Sequence, residues 1–383
     1  MSDELKRGLE GVPVAESSLS NIDGDAGRLV YRGYAIEDLA RDASYEEVCY
    51  LLWHGHLPDR DELDAFEDDL ANERVVDDRI LATLEGLAGD ERPMAALRTA
   101  VSMFSAGDPD SAANPRERET TLRKGRRVAA KVPTVLAAFD RLRSGEEPVE
   151  PHPELGYAAN FLYMLTGEEP DEVAAETFDQ ALVLHADHGL NASTFTTMVI
   201  ASTFADAYSA LTGGVGALSG PLHGGANQDV MEMLHEIDEA GADPVEWVTD
   251  ARENREDWRV PGWGHRVYSV KDPRADILQS RLAELGESAG ETKWYDYTTG
   301  IENHLREEGL IEKGIAPNVD FYSGSVYHQL GIPMDMYTPI FAMSRVGGWL
   351  GHALEYQAEN RLIRPRAHYT GPEHESFVSI DER

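Results

Sequence analysis

Four segments of the chain set polar side chains beside Gly, Pro or aromatic residues, where a side chain can reach a small substrate. The first is Leu184-His185-Ala186-Asp187-His188-Gly189-Leu190-Asn191-Ala192-Ser193. His185 and His188 lie three apart and can share a helix face, and Gly189 suggests that His188 closes a helix at a cleft. Two imidazoles at this spacing could begin a metal site. Zinc needs three or four ligands, however, and no partner set of the usual spacing is near. A hydrogen-bonded histidine at a helix end fits as well. The second segment is Gly220-Pro221-Leu222-His223-Gly224-Gly225-Ala226-Asn227. Two glycines after His223, before an expected helix, leave room for a substrate to approach the imidazole. A histidine so placed can donate a hydrogen bond to a developing oxyanion; a Gly-rich turn with no chemical role is the alternative.

The third segment runs Val260-Pro261-Gly262-Trp263-Gly264-His265-Arg266-Val267-Tyr268 and on through Lys271-Asp272-Pro273-Arg274. Its Pro-Gly-Trp-Gly loop is expected to expose backbone amides and carbonyls suited to a flat base. His265 and Arg274 could grip a small acid, since Arg pairs with carboxylates in a bidentate way that Lys cannot match. A structural turn with surface arginines is the competing reading. The fourth segment, Ile315-Ala316-Pro317-Asn318-Val319-Asp320-Phe321-Tyr322-Ser323-Gly324, puts Asp320 in an apolar and aromatic setting. Desolvation there would raise its pKa toward that of a useful base. An N-cap role for Asp320 is compatible with this.

The elements that must hold these segments read as helices. Tyr45–His54 has Val48, Leu51 and Leu52 at helical spacing and ends near Gly55. Asp171 to His188 repeats the pattern with Val173, Phe178, Leu182 and His185. Arg28–Tyr31 is a short strand-like stretch, and strict alternation is scarce elsewhere, so the expected fold is mainly α. The stretch from Gly189 to Gly220 carries one charged residue, Asp206, near its middle. Its Ser, Thr and Gly content fits a closely packed helix pair better than a membrane span. The N-terminus lacks the apolar core of a signal peptide, the single Cys49 excludes an intrachain disulfide, and a cytoplasmic location is expected.

Charge restricts the function further. The 383 residues include 34 Lys plus Arg against 70 Asp plus Glu, a net charge of −36. That balance opposes nucleic-acid binding, which needs a basic face. With 42% hydrophobic residues, wholesale disorder is also not expected. Only six residues are Lys. An acidic, Lys-poor surface suits concentrated salt, where the Debye length falls to about 3 Å at 1 M and self-repulsion is screened. An ordinary acidic cytoplasmic protein is the alternative.

Together the segments resemble the citrate synthase family over nearly the full length. Gly8-Leu9-Glu10-Gly11-Val12 and Leu29-Val30-Tyr31-Arg32-Gly33-Tyr34 match its opening. Gly220 to Asn227, Val260 to Arg274 and Ala316 to Gly324 match its catalytic segments in order. Phe341-Ala342-Met343-Ser344-Arg345 and Ile363-Arg364-Pro365-Arg366 match its C-terminal arginine segments. The length resembles the dimeric type rather than the hexameric, NADH-regulated one. The resemblance implies a mainly α fold with a large helical domain (1–224 and 325–383) and a smaller one (225–324) that closes over the cleft. Gly224-Gly225 and the region of Gly324 would neighbour the hinges. It implies that Asp320 deprotonates the methyl group of acetyl-CoA, His223 hydrogen-bonds the thioester oxygen, and His265 polarises the ketone of oxaloacetate. His188, Arg274 and Arg345 would hold the carboxylates, with Arg364 entering from the partner of a homodimer. CoA would lie on Val260, Pro261, Gly262, Trp263 and Gly264, its phosphates met by Arg266, Lys271 and Lys313. The implied products are citrate and CoA, with no metal and no permanently bound cofactor; the CoA thioester is a substrate. A 2-methylcitrate synthase using propionyl-CoA is a close alternative, since one methylene is worth only about 1–3 kcal/mol. More remote alternatives are a metallohydrolase built on His185, Asp187, His188 and His223, and a non-catalytic scaffold.

Overall fold

A computed structural model describes residues 5–9, 11–89 and 91–383; Glu10 of the opening motif lies outside the described residues. Among these are sixteen α-helices and one small antiparallel sheet, so the mainly α expectation holds. The strand-like Arg28–Tyr31 is the middle strand β2. It pairs with β1 (Ser20–Asp23) from Ser20↔Tyr31 to Asp23↔Arg28, and with β3 (Tyr34–Ala35). The turn between β1 and β2 presses on the third segment. Gly24 accepts the Ser269 N–H at 3.1 Å, and a Cβ on Gly24 would fall 1.9 Å from the Val267 carbonyl oxygen.

Helix Tyr45–His54 has the expected bounds. Ser44 and Glu47 form a capping box at its start, and Gly55 ends it at φ 88°. Helix Glu172–His185, capped by Asp171, stops three residues short of His188. The expected shared face of His185 and His188 is therefore wrong. His185 is fully buried, gives Nδ1 to the Ala181 carbonyl at 2.7 Å, and packs edge-on to Phe341. The chain leaves the helix because Gly348, in helix Tyr337–Ala358, sits directly beneath Ala186 and Asp187. Gly348 N–H bonds the Ala186 carbonyl at 2.9 Å, and a Cβ there would meet Asp187 Oδ1 at 2.4 Å.

The segment from Gly189 to Gly220 forms the expected pair of helices, Ala192–Ala201 and Ala207–Leu218, and Asp206 caps the second. Their approach depends on small residues. A Cβ on Gly213 would meet Ile200 at 2.2 Å, and one on Gly214 would meet Thr197 Oγ1 at 2.6 Å. Among the described residues no helix is long and apolar enough to cross a membrane. Helix Asp320–Gln329 runs unbroken across 324/325, the boundary expected between the two domains. Gly324 lets this helix touch the start of helix Ala226–Ala240, because a Cβ would lie 2.5 Å from the Asn227 carbonyl oxygen.

Candidate active site

His188, His223, His265, Arg274, Asp320 and Arg345, drawn from the four segments and helix Tyr337–Ala358, line one cavity of about 1040 Å³. His223 sits in the turn between helices Ala207–Leu218 and Ala226–Ala240. The turn needs both of its glycines. A Cβ on Gly224 would meet the Leu218 carbonyl oxygen at 2.7 Å, and Gly225 has φ 120°. The Ser193 backbone N–H, in the first turn of helix Ala192–Ala201, donates to His223 Nε2 at 3.1 Å. Ser193 Oγ lies 2.8 Å from the same nitrogen and accepts from Trp349 Nε1 at 3.1 Å. A backbone N–H can only donate, so Nε2 carries the lone pair and the neutral ring holds its proton on Nδ1. Burial, then the Arg345 charge, holds the His223 pKa below its usual value.

His265 has the opposite tautomer. Its Nδ1 accepts the backbone N–H groups of Val267 at 3.0 Å and Tyr268 at 3.3 Å, which leaves the proton on Nε2. Burial and then Arg274 push its pKa down to about 4. Both rings are therefore neutral near pH 7, each with one N–H left to donate.

Asp320 opens helix Asp320–Gln329. Burial pushes its carboxyl up to about 6, against the pull of Arg274. It is not the cap of its helix. Val319 holds that position without a side-chain bond; one residue earlier, Asn318 Oδ1 accepts the Asp320 N–H at 2.9 Å while its Nδ2 donates to the Gly264 carbonyl at 2.9 Å. The Asp320 helix is thus stitched to the His265 loop. Asn318 N–H also bonds the Gly262 carbonyl at 2.9 Å, and Gly264 N–H bonds the Ala316 carbonyl at 2.8 Å. Gly262, at φ 72°, lets Phe321 approach, since a Cβ would lie 2.8 Å from Phe321 Cα.

These internal bonds correct the expectation that the loop exposes its backbone groups. The carbonyls of Gly262 and Gly264 and the amide of Gly264 are already used. Of Val260, Pro261, Gly262, Trp263 and Gly264, only Gly264 lines the main cavity; Pro261 lines a second one of about 310 Å³ with Trp247 and Trp258. Arg266 lines the main cavity and is exposed. Lys271 lies outside the main cavity lining. Its ammonium is held by Glu302 at 2.8 Å, Asp276 at 2.9 Å and Gln279 at 2.7 Å, so its charge is already balanced. Lys313 is exposed and lies outside the cavity lining.

The two cavity arginines differ. Arg274 makes a bidentate pair with the fully buried Asp272, through Nε at 3.0 Å and Nη2 at 2.7 Å. Arg345 gives Nε to the His185 carbonyl at 2.7 Å and has no carboxylate partner among the described residues. Burial lowers its pKa to about 10, which leaves it cationic at neutral pH. Arg364 stands exposed on the extended C-terminal segment, away from this cavity. Among the described residues no three His, Cys, Asp or Glu side chains gather as a metal site. The proposed metal quartet is dispersed, with His185 in the core and Asp187 bound to His352 and Ser20.

Ser193, Asp272 and Asn318 were present in the quoted segments but carried no assigned role. The bonds of Ser193 to His223 and of Asn318 to Gly264 are set by chain packing, whereas Asp272 meets Arg274 two residues on, a pairing open to a reading of spacing. The N-terminal stretch Gly8, Leu9 and Val12 to Ala15 also lines the cavity, which the opening motif alone did not indicate.

The family described as citrate synthase, C-terminal domain, matches residues 8–366. A citrate synthase from Haloferax volcanii is 61% identical over 385 residues, covering 100% of both chains. The structure of citrate synthase from Pyrobaculum aerophilum superposes with TM-score 0.91 at 40% identity, covering 98% of this chain and 95% of that one. A ternary complex of carboxymethyl coenzyme A and oxaloacetate with citrate synthase from Thermoplasma acidophilum has TM-score 0.90 at 33% identity, covering 99% and 100%. The chain belongs to the citrate synthase family.

Proposed function

We propose that this enzyme joins the methyl carbon of acetyl-CoA to the ketone carbon of oxaloacetate and hydrolyses the thioester formed, releasing citrate and CoA. One observation carries the reading: a carboxyl held near pKa 6 shares a cavity with two neutral histidines of opposite tautomer. A thioester methyl is a very weak carbon acid, so a carboxylate alone cannot hold a useful amount of enolate. Asp320 takes the proton while His223 Nδ1–H bonds the thioester oxygen on which charge develops. His265 Nε2–H bonds the ketone oxygen of oxaloacetate, drawing electrons from the carbon under attack. His188, Arg274 and Arg345 hold the two carboxylates. The Arg345 guanidinium, having no carboxylate of its own, carries most of the free positive charge. Arg364 completes the site from a partner subunit. The CoA arm passes Gly264 and Arg266. The enzyme needs no resident cofactor.

The direct test measures CoA release with oxaloacetate and either acetyl-CoA or propionyl-CoA across a KCl series. Acetyl-CoA is expected to be the faster substrate, with turnover and thermal stability both rising toward molar salt as the charge of −36 is screened. No release with any acyl-CoA at any salt would sink the proposal. A preference for propionyl-CoA would make the enzyme a 2-methylcitrate synthase, and a melting temperature indifferent to salt would remove the high-salt reading.

The acid limb of the pH profile follows from Asp320. Below pH about 6 its carboxyl is protonated and cannot act as base. On lowering the pH, kcat/KM is expected to fall tenfold per unit below that point. His265, at about 4, stays a neutral donor through this window. A profile flat down to pH 5 would contradict the assignment of this limb to a carboxyl raised to about 6.

A further inference from the structure

We propose that Tyr268 is a positioning residue that fixes the proton of His188 on Nδ1, making this histidine a hydrogen-bond donor to a substrate carboxylate. The phenol oxygen of Tyr268 lies 3.3 Å from His188 Nε2. The two rings are 5.7 Å apart, and Tyr268 is 3% exposed. Among the described residues His188 is the only hydrogen-bond partner of this phenol.

The pair can be arranged in two ways. In one, the phenol O–H donates to a bare Nε2, and the imidazole proton sits on Nδ1. In the other, Nε2–H donates to the phenol oxygen, which leaves a buried O–H with no acceptor. Burying an unpaired donor is costly, whereas an oxygen can leave a lone pair unused at little cost. The first arrangement is therefore the stable one. His188 has a single ring proton to place, because burial and the charges of Arg274 and Arg345 hold it neutral. Burial likewise keeps the phenol protonated.

The arrangement suits the cavity that His188 lines. A dianion accepts hydrogen bonds, and a bare Nδ1 would repel it. Tyr268 also acts through its backbone, since its N–H is one of the two that hold the proton of His265 on Nε2. One residue thus sets the tautomer of two histidines, one through each part of its structure. The His188 bond joins segments 80 residues apart, so it also holds the His265 loop against the chain that follows helix Glu172–His185.

The substrate half of this inference rests on the reading that the cavity binds oxaloacetate; the tautomer half does not. The test uses the full-length protein with 15N-labelled histidine in molar KCl. Long-range proton–nitrogen correlation spectra report which nitrogen carries the proton, and His188→Gln identifies the signal. The wild type is expected to show His188 as the Nδ1–H form, and Tyr268→Phe to show a mixture. The KM for oxaloacetate should rise roughly tenfold in Tyr268→Phe, as for loss of one hydrogen bond near a charge. The KM for acetyl-CoA should change by less than about twofold, which a merely loosened fold would not reproduce. An Nε2–H form of His188 in the wild type would overturn the proposal, as would an unchanged oxaloacetate KM in the variant. Equal losses for both substrates would also overturn it. If the wild type releases no CoA with oxaloacetate, the functional reading fails while the spectra still decide the Tyr268–His188 bond.

Discussion

Replacing Asp320 with Asn is expected to lower kcat by about three orders of magnitude, the middle of the range for loss of a positioned general base, while CoA still binds. The variant should also be more stable than the wild type. Burial raises the folded-state carboxyl to about 6, above its ordinary value of 3.8. A raised carboxyl pKa means that the folded state favours the proton, so ionisation costs stability. The cost is absent below pH about 4, grows between about 4 and 6, and is complete at pH 7, where it reaches on the order of 3 kcal/mol. Asparagine removes the charge and with it the cost. Parallel kcat and melting measurements at pH 7 check both halves; full turnover in D320N would refute the assigned base. The same variant tests the proposal that two subunits share each site. Arg364→Ala subunits, which keep Asp320, should regain activity when mixed with D320N subunits, which keep Arg364. No recovery in the mixed dimer would remove Arg364 from the partner's site.

Replacing Arg274 with Met is expected to cost about 3–5 kcal/mol of stability as well as activity, because it strands Asp272 as an unpaired buried carboxylate. Asp272 has no exposed surface, and both of its oxygens serve Arg274. Arg345→Met removes an equally buried guanidinium that has a carbonyl as its neighbour, so it should destabilise far less while damaging oxaloacetate binding comparably. A double variant, Asp272→Asn with Arg274→Met, should recover part of the stability and none of the activity. Denaturant midpoints and oxaloacetate KM for the four proteins form the test. Equal stability losses for Arg274→Met and Arg345→Met would contradict the pairing argument.

Legibility in the sequence followed the range of the forces involved. Tyr45–His54 and Arg28–Tyr31 appear where expected because their signals, apolar residues at helical spacing with a terminal glycine and a short strand-like stretch, are local. The histidine pair does not share a face because its helix stops at His185, where Gly348, far along the chain, packs against Ala186 and Asp187. Lys271 looked like a free cation in a Lys-poor chain, yet Glu302, 31 residues later, takes its charge. Asp320 has the residue type of a cap, but it lies inside the helix after Val319, and its N–H is taken by Asn318 two residues earlier. The six cavity residues were readable because each stands among glycines and prolines whose sequence pattern resembles a known family. Their tautomers were not, since these depend on amides brought in by folding.

That last dependence bears on how the enzyme tolerates sequence change. The protons of His223 and His265 are placed by the main-chain N–H groups of Ser193, Val267 and Tyr268. A main-chain donor survives every substitution except proline. Side-chain scanning at Val267 would therefore pass over a donor to His265 without a signal, and at Ser193 and Tyr268 it would report only the side-chain contacts with His223 and His188. The heritable constraint lies instead in the glycines at 224, 225 and 262, whose missing side chains let the loops fold so that the amides arrive.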